Sequence, residues 1–117
     1  EVVTACHLEL LRRVDPVMAG EPVLIFSDKH GGRQSYAAAL AHHWPEVRVE
    51  TITESPTLSH YRLGAREFRF EPRAERHLAT AAASMTAKYV RELHMQLFNA
   101  FWRGHCPTLK PTQGYPV

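Results

Sequence analysis

The chain reads as an α/β fold, and three observations lead there. A short continuous apolar run, Val23 to Phe26, has the composition of a strand buried on both faces, as in a parallel sheet. Helical spacing follows it through Tyr36, Ala37, Leu40 and Ala41, and alternation follows that from Val47 to Thr53, which predicts a strand, helix, strand unit with a parallel crossover. A long helical stretch, Leu78 to about Trp102, closes the pattern, with Gly104 placed to terminate it.

The remaining elements follow in order. Thr4 to Val14 reads as a first helix, with Thr4 as N-cap, Leu8, Leu10 and Leu11 as its apolar side, and Asp15 with Pro16 as its stop. Gly20, Glu21 and Pro22 make the turn into the first strand. Tyr61 to Leu63 and Glu67 to Phe70 can pair as a hairpin around Gly64, with Phe68 and Phe70 on one face. The tail from Cys106, carrying Pro107, Pro111 and Pro116, is expected to be extended.

Composition narrows the function classes. The 117 residues suffice for one domain, and 44% hydrophobic with 22% charged residues is ordinary for a globular protein. A formal charge of +2 gives no overall drive toward a polyanion, so any such partner must meet a local patch. Cys6 and Cys106 have no finger or CxxC spacing, which argues against a zinc knuckle and for free thiols in a reducing, cytoplasmic setting. His42 and His43 are adjacent on a predicted helix, so they diverge by about 100° and make a poor metal pair. No apolar run reaches the ~20 residues of a membrane span. The chain starts at Glu1 without methionine and enters a helical pattern at once, which reads as a piece of a longer protein.

Chemistry concentrates at three places. Asp28 stands at the carboxyl end of the first strand, before the glycines Gly31 and Gly32, where open α/β sheets keep their ligands. From position alone it fits a cap of the following turn equally well. Lys29, His30 and Arg33 flank that loop, although DKHGGR lacks the ending of a P-loop. Glu75 precedes the long helix, where an acid is commonly a dipole partner. On the helix itself Ser84, Lys88 and Arg91 are spaced i, i+4 and i+7 along one face, while Met85, Tyr89, Leu93 and Leu97 form another, expected to pack.

Together, a strand ending in Asp, a second acid before a helix, and the helix AAASMTAKYVRELHM resemble ribonuclease HII, whose helix has the form AASIxAKxxRDxxM. The matching positions are Ala82, Ala83, Ser84, Met85, Ala87, Lys88, Arg91 and Met95, and the tail PTQGYPV is similar to the family's closing GYPT segment. The likeness runs roughly from Val23 to Val117 with an insertion around residues 33 to 60, and is nearest to a planctomycete-type branch. It implies an RNase H-like mixed sheet with flanking helices, here the carboxyl-terminal part of a single domain, 1–117, lacking the first strands.

The resemblance also implies an activity: metal-dependent cleavage of the RNA strand in RNA/DNA hybrids or ribonucleotide-containing duplexes; the chain is separately expected to be a monomer. Asp28 and Glu75 would be catalytic ligands of Mg²⁺ or Mn²⁺. Ser84 and Lys88, with Arg91, would hold nucleic-acid phosphate, and Tyr115 would rest against the sugar beside the cleaved bond; Lys29, His30 and Arg33 are expected to add nucleic-acid contacts from their place beside the glycine loop. Glu92 stands at the family's Asp and reads as support, while Val117 replaces its threonine. The family's adjacent Asp and Glu, followed by Gly/Arg/Gly, have no counterpart here, since Glu1, Glu9, Asp15 and Glu21 lack that context. They are expected upstream of Glu1, which would leave this fragment inactive alone. Two other readings compete: a nucleic-acid binding module of the same fold whose catalysis has decayed, and an α/β interaction domain.

Overall fold

The computed structural model describes residues 2–18 and 20–115, and it divides the chain into two compact units, Glu1–Thr80 and Ala81–Val117. Expectations resting on Glu1, Pro116 and Val117 fall outside the described residues.

The first unit is built on a four-stranded sheet in the order β1-β4-β3-β2. β1 (Val23–Asp28) runs parallel to β4 (Arg66–Glu71), while β3 (Ser59–Leu63) is antiparallel to both β4 and β2 (Glu50–Glu54). This is a mixed α/β architecture. The hairpin forms as the alternation predicts: Leu63 pairs with Arg66, and Gly64 takes φ +59°, a value glycine adopts without steric cost.

Period-two alternation decides which face is buried. Tyr61, Leu63, Phe68 and Phe70 project from one face and are fully buried. Against them pack Leu8 of α1 (Val2–Val14) and Leu40 of α2 (Ala37–His43), with Tyr36 and Trp44 at the two ends of α2. Tyr36 stacks on Phe70 with ring centroids 3.8 Å apart, and its backbone N–H donates to the Tyr61 hydroxyl at 2.9 Å. Burying each such side chain contributes roughly 1.5–3 kcal/mol. Burial, with the Glu54 carboxylate accepting a hydrogen bond from its hydroxyl, pushes the Tyr61 phenol up to about 12. An Asp15–Arg66 fork, at 2.5 and 2.7 Å, ties the 3₁₀ turn Asp15–Met18 to the start of β4. The Arg66 hydrogen bond holds the Asp15 carboxyl below its ordinary range.

Several expectations are corrected. β1 is an edge strand with Leu24 48% exposed, so it is not buried on both faces. β1 and β2 share a direction but stand at opposite edges, because β4 rather than β2 pairs with β1. Val47 and Val49 pack on the core ahead of β2, whose own residues are all exposed. Thr4 is no cap; it is buried within α1, and its hydroxyl meets His30 Nδ1 at 2.8 Å. Leu10 is exposed, leaving Leu8 and Leu11 as the packed side.

The second unit is dominated by α3 (Leu78–His105), whose first turn belongs to the first unit. Gly104 lies inside its last turn rather than ending it. No residue of α3 is buried, so the stripe of Met85, Tyr89, Leu93 and Leu97, expected to pack, is exposed. The tail returns along the helix. Asn99 exchanges two hydrogen bonds with the backbone of Thr112, at 2.8 and 3.0 Å, and Arg91 donates to the Gln113 carbonyl at 2.5 Å.

Candidate nucleic-acid interface

Parallel pairing carries β1 and β4 to the same end of the sheet, with Asp28 in register with Glu71. Beyond them the chain opens a cleft of about 380 Å³. Asp28, Lys29, Gly31, Gly32 and Arg33 line one part of it, and Pro72 with Arg73 another. This is the crevice outside strand carboxyl ends where ligands of open α/β sheets bind. Gly31 takes φ +60°, and a Cβ at Gly31 or Gly32 would meet nothing within 4 Å, so the loop leaves open space.

Each lining side chain has an identifiable hold. Asp28 Oδ1 accepts the Ala74 N–H at 3.2 Å, so this carboxylate caps the 3₁₀ turn Ala74–Arg76. Lys29 donates to the Ser55 carbonyl at 2.6 Å and the Ser59 hydroxyl at 2.9 Å, bracing the wall that carries Pro56. Burial lowers the Lys29 ammonium from its ordinary value, with Glu54 opposing. Arg33 donates to the Ser35 carbonyl at 2.7 Å and lies over the Tyr36 ring.

His30 is placed differently from its neighbours in sequence. Its ring turns inward to Thr4 and stands edge-on to His7 and Tyr36, while its backbone N–H donates to the Tyr36 hydroxyl at 3.0 Å. His7 Nε2 meets the Ser27 hydroxyl at 2.8 Å. Burial lowers both imidazoles, reinforced by Arg33 and opposed by Asp28 at His30, and reinforced by His30 at His7. The two histidines fasten the root of the cleft loop to α1.

The carboxylates do not assemble a metal centre among the described residues. Glu75 is exposed, its side chain makes no hydrogen bond or ion pair among the described residues, and it does not line the cleft, although Ala74 brings its backbone beside Asp28. Glu71, which sequence reasoning passed over, is buried and committed to Arg76 and to His77 Nε2 at 3.2 Å. Arg69 Nε lies 3.2 Å from its other oxygen, close enough for an ion pair but out of line for a hydrogen bond. Burial raises the Glu71 carboxyl, yet the His77 and Arg76 bonds outweigh it and leave a net lowering. No group of three His, Cys, Asp or Glu side chains able to hold a metal occurs among the described residues. One carboxylate among cations fits an oxyanion better than Mg²⁺ or Mn²⁺, whose sites are built from several oxygen ligands.

The other expected contacts lie in the second unit. Ser84 and Lys88 are exposed on α3. Arg91 is committed to the Gln113 carbonyl and to Glu92 at 3.2 Å, and its guanidinium lies 4.1 Å from the centre of the Tyr115 ring. The structure thus joins Arg91 with Tyr115, and Asp28 with Lys29 and Arg33. Arg73 is a charged cleft residue that sequence reasoning missed; nothing in PRAER signals its backbone geometry. Alternation on β4 puts Glu67, Arg69 and Glu71 on the face opposite Phe68 and Phe70, but nothing in that pattern signals that Glu71 is buried. No helix is long and apolar enough to cross a membrane among the described residues. Compared with known families, curated proteins and solved structures, the chain has no match in any of the three.

Proposed function

We propose that this chain supplies the phosphate-binding part of a ribonuclease HII-like endoribonuclease acting on the RNA strand of RNA/DNA hybrids. The observation that carries the reading is the cleft at the carboxyl ends of β1 and β4, where Asp28 sits with Lys29, Arg33 and Arg73. The ribonuclease HII resemblance supplies the reaction, and the cleft supplies a seat for the backbone. Guanidinium groups take phosphate oxygens through paired N–H donors, and such contacts position a strand without reading its bases.

The described residues fall short of the metal site that this reaction uses, in which two ions flank the attacking and leaving oxygens. Among the described carboxylates Asp28 alone lines the cleft, and Glu71 is paired with Arg76 and His77. On this reading the further acids come from residues beyond those described, and the chain's own side chains bind and orient the strand. A second reading, a hybrid-binding module without cleavage, is favoured by the Asp28 cap on Ala74, which accounts for that carboxylate structurally.

The two readings separate in one assay on the full-length protein, using a labelled RNA/DNA hybrid with Mg²⁺ or Mn²⁺. Cleavage that disappears in Asp28→Asn while hybrid binding persists supports the nuclease. Salt-sensitive binding without cleavage supports the module. Absence of both overturns the whole assignment and leaves the interaction domain.

A further inference from the structure

Arg73 is the non-glycine residue with a left-handed backbone among the described residues, at φ 58°. That conformation presses Cβ toward the backbone and is uncommon for a side chain of this kind. It persists because the segment is fixed on both sides. Pro72 precedes it, Asp28 holds the Ala74 N–H, and Arg76 and His77 grip Glu71. The Arg73 carbonyl accepts the Arg76 N–H at 3.3 Å, but among the described residues its side chain makes no hydrogen bond or ion pair, yet it lines the cleft with Lys29 and Arg33. A guanidinium has five donors in a rigid fork and no acceptor, so a partner with paired anionic oxygens completes it.

We infer that Arg73 is the anchor of the cleft for a phosphate oxyanion, and that Asp28 is its positioning residue, acting through the Ala74 N–H. The inference rests on the proposed phosphate-binding reading and assigns its principal contact. It also separates two roles for Asp28. An amide at that position still offers an oxygen to Ala74, so Asp28→Asn keeps the anchor in place, whereas Asp28→Ala releases it.

The test measures hybrid affinity across a salt series and inorganic phosphate binding by titration, on the full-length protein and its variants. Arg73→Gly is expected to lower hybrid affinity by roughly tenfold and to reduce the slope of log affinity on log salt by about one. Its thermal midpoint should hold or rise, because glycine accepts the left-handed backbone. Arg73→Lys, which keeps the charge and loses the fork, should fall between the two and serves if the glycine variant fails to fold. Asp28→Ala should weaken binding more than Asp28→Asn. Unchanged binding of both probes in Arg73→Gly, or in Arg73→Lys where the glycine variant does not fold, overturns the inference. Arg73-dependent phosphate binding without hybrid binding upholds the anchor and overturns the nucleic-acid reading, and a protein that binds neither probe overturns both.

Discussion

Residues 1–80 and residues 81–117 carry apolar side chains in comparable style but use them differently. In the first unit alternation on β3 and β4 lays Tyr61, Leu63, Phe68 and Phe70 in a row, and helices α1 and α2 close over them. In the second, α3 presents Met85, Tyr89, Leu93 and Leu97 at helical spacing with none buried. A stripe of apolar residues therefore reports which face of an element can pack. Whether anything packs there is settled by a second element; within its own unit α3, 28 residues rich in alanine, is met by the tail through the Asn99–Thr112 hydrogen bonds.

The largest test of that contrast strikes the first core. Phe70 is fully buried between Tyr36, Phe68 and Tyr61. Phe70→Ala should cost about 3–5 kcal/mol, the lost transfer energy plus a cavity that a stacked ring cannot refill. Denaturant unfolding followed by far-ultraviolet circular dichroism would check it. A loss under about 1 kcal/mol would mean that the aromatic stack is not what holds the sheet to α2.

That core was largely legible in sequence, and the reasons are local. Phe68 and Phe70 alternate with Glu67 and Arg69, and Gly64 sits where a two-residue turn needs it, so hairpin and buried face follow together. The strand order was not legible. β1 pairs with β4 across an intervening helix and two strands, a choice made by global packing that no window of residues encodes. The site divides in the same way: Asp28 stands out because its strand end is a sequence feature, while Arg73 depends on a left-handed backbone imposed by Asp28 and by the partners of Glu71.

Acid should weaken the first unit before the second. His7 and His30 lie below their ordinary value of 6.5 in the folded state, chiefly through burial. Above 6.5 both states are neutral and the pair contributes nothing to pH dependence. As pH falls through 6.5 the unfolded chain takes up protons that the folded chain refuses, so stability declines until the lower folded values are passed. The denaturation midpoint should drop between neutral pH and mild acid, by less than Phe70→Ala produces. His7→Asn with His30→Asn should flatten that slope. An equally steep profile in the double variant would move the cause to other groups.

The smallest expected effect lies on α3, and it is the most direct probe of the contrast. Leu97 is 68% exposed, so Leu97→Ala removes little buried surface and places the strongest helix former in the helix. The change in unfolding free energy should stay within about 0.5 kcal/mol, against about 2–5 kcal/mol for Leu40→Ala in the buried cluster. The two substitutions delete the same atoms, so their difference isolates burial from chemistry. Should Leu97→Ala cost as much as Leu40→Ala, the stripe on α3 is covered in solution, and the second unit is stabilised by packing rather than by propensity.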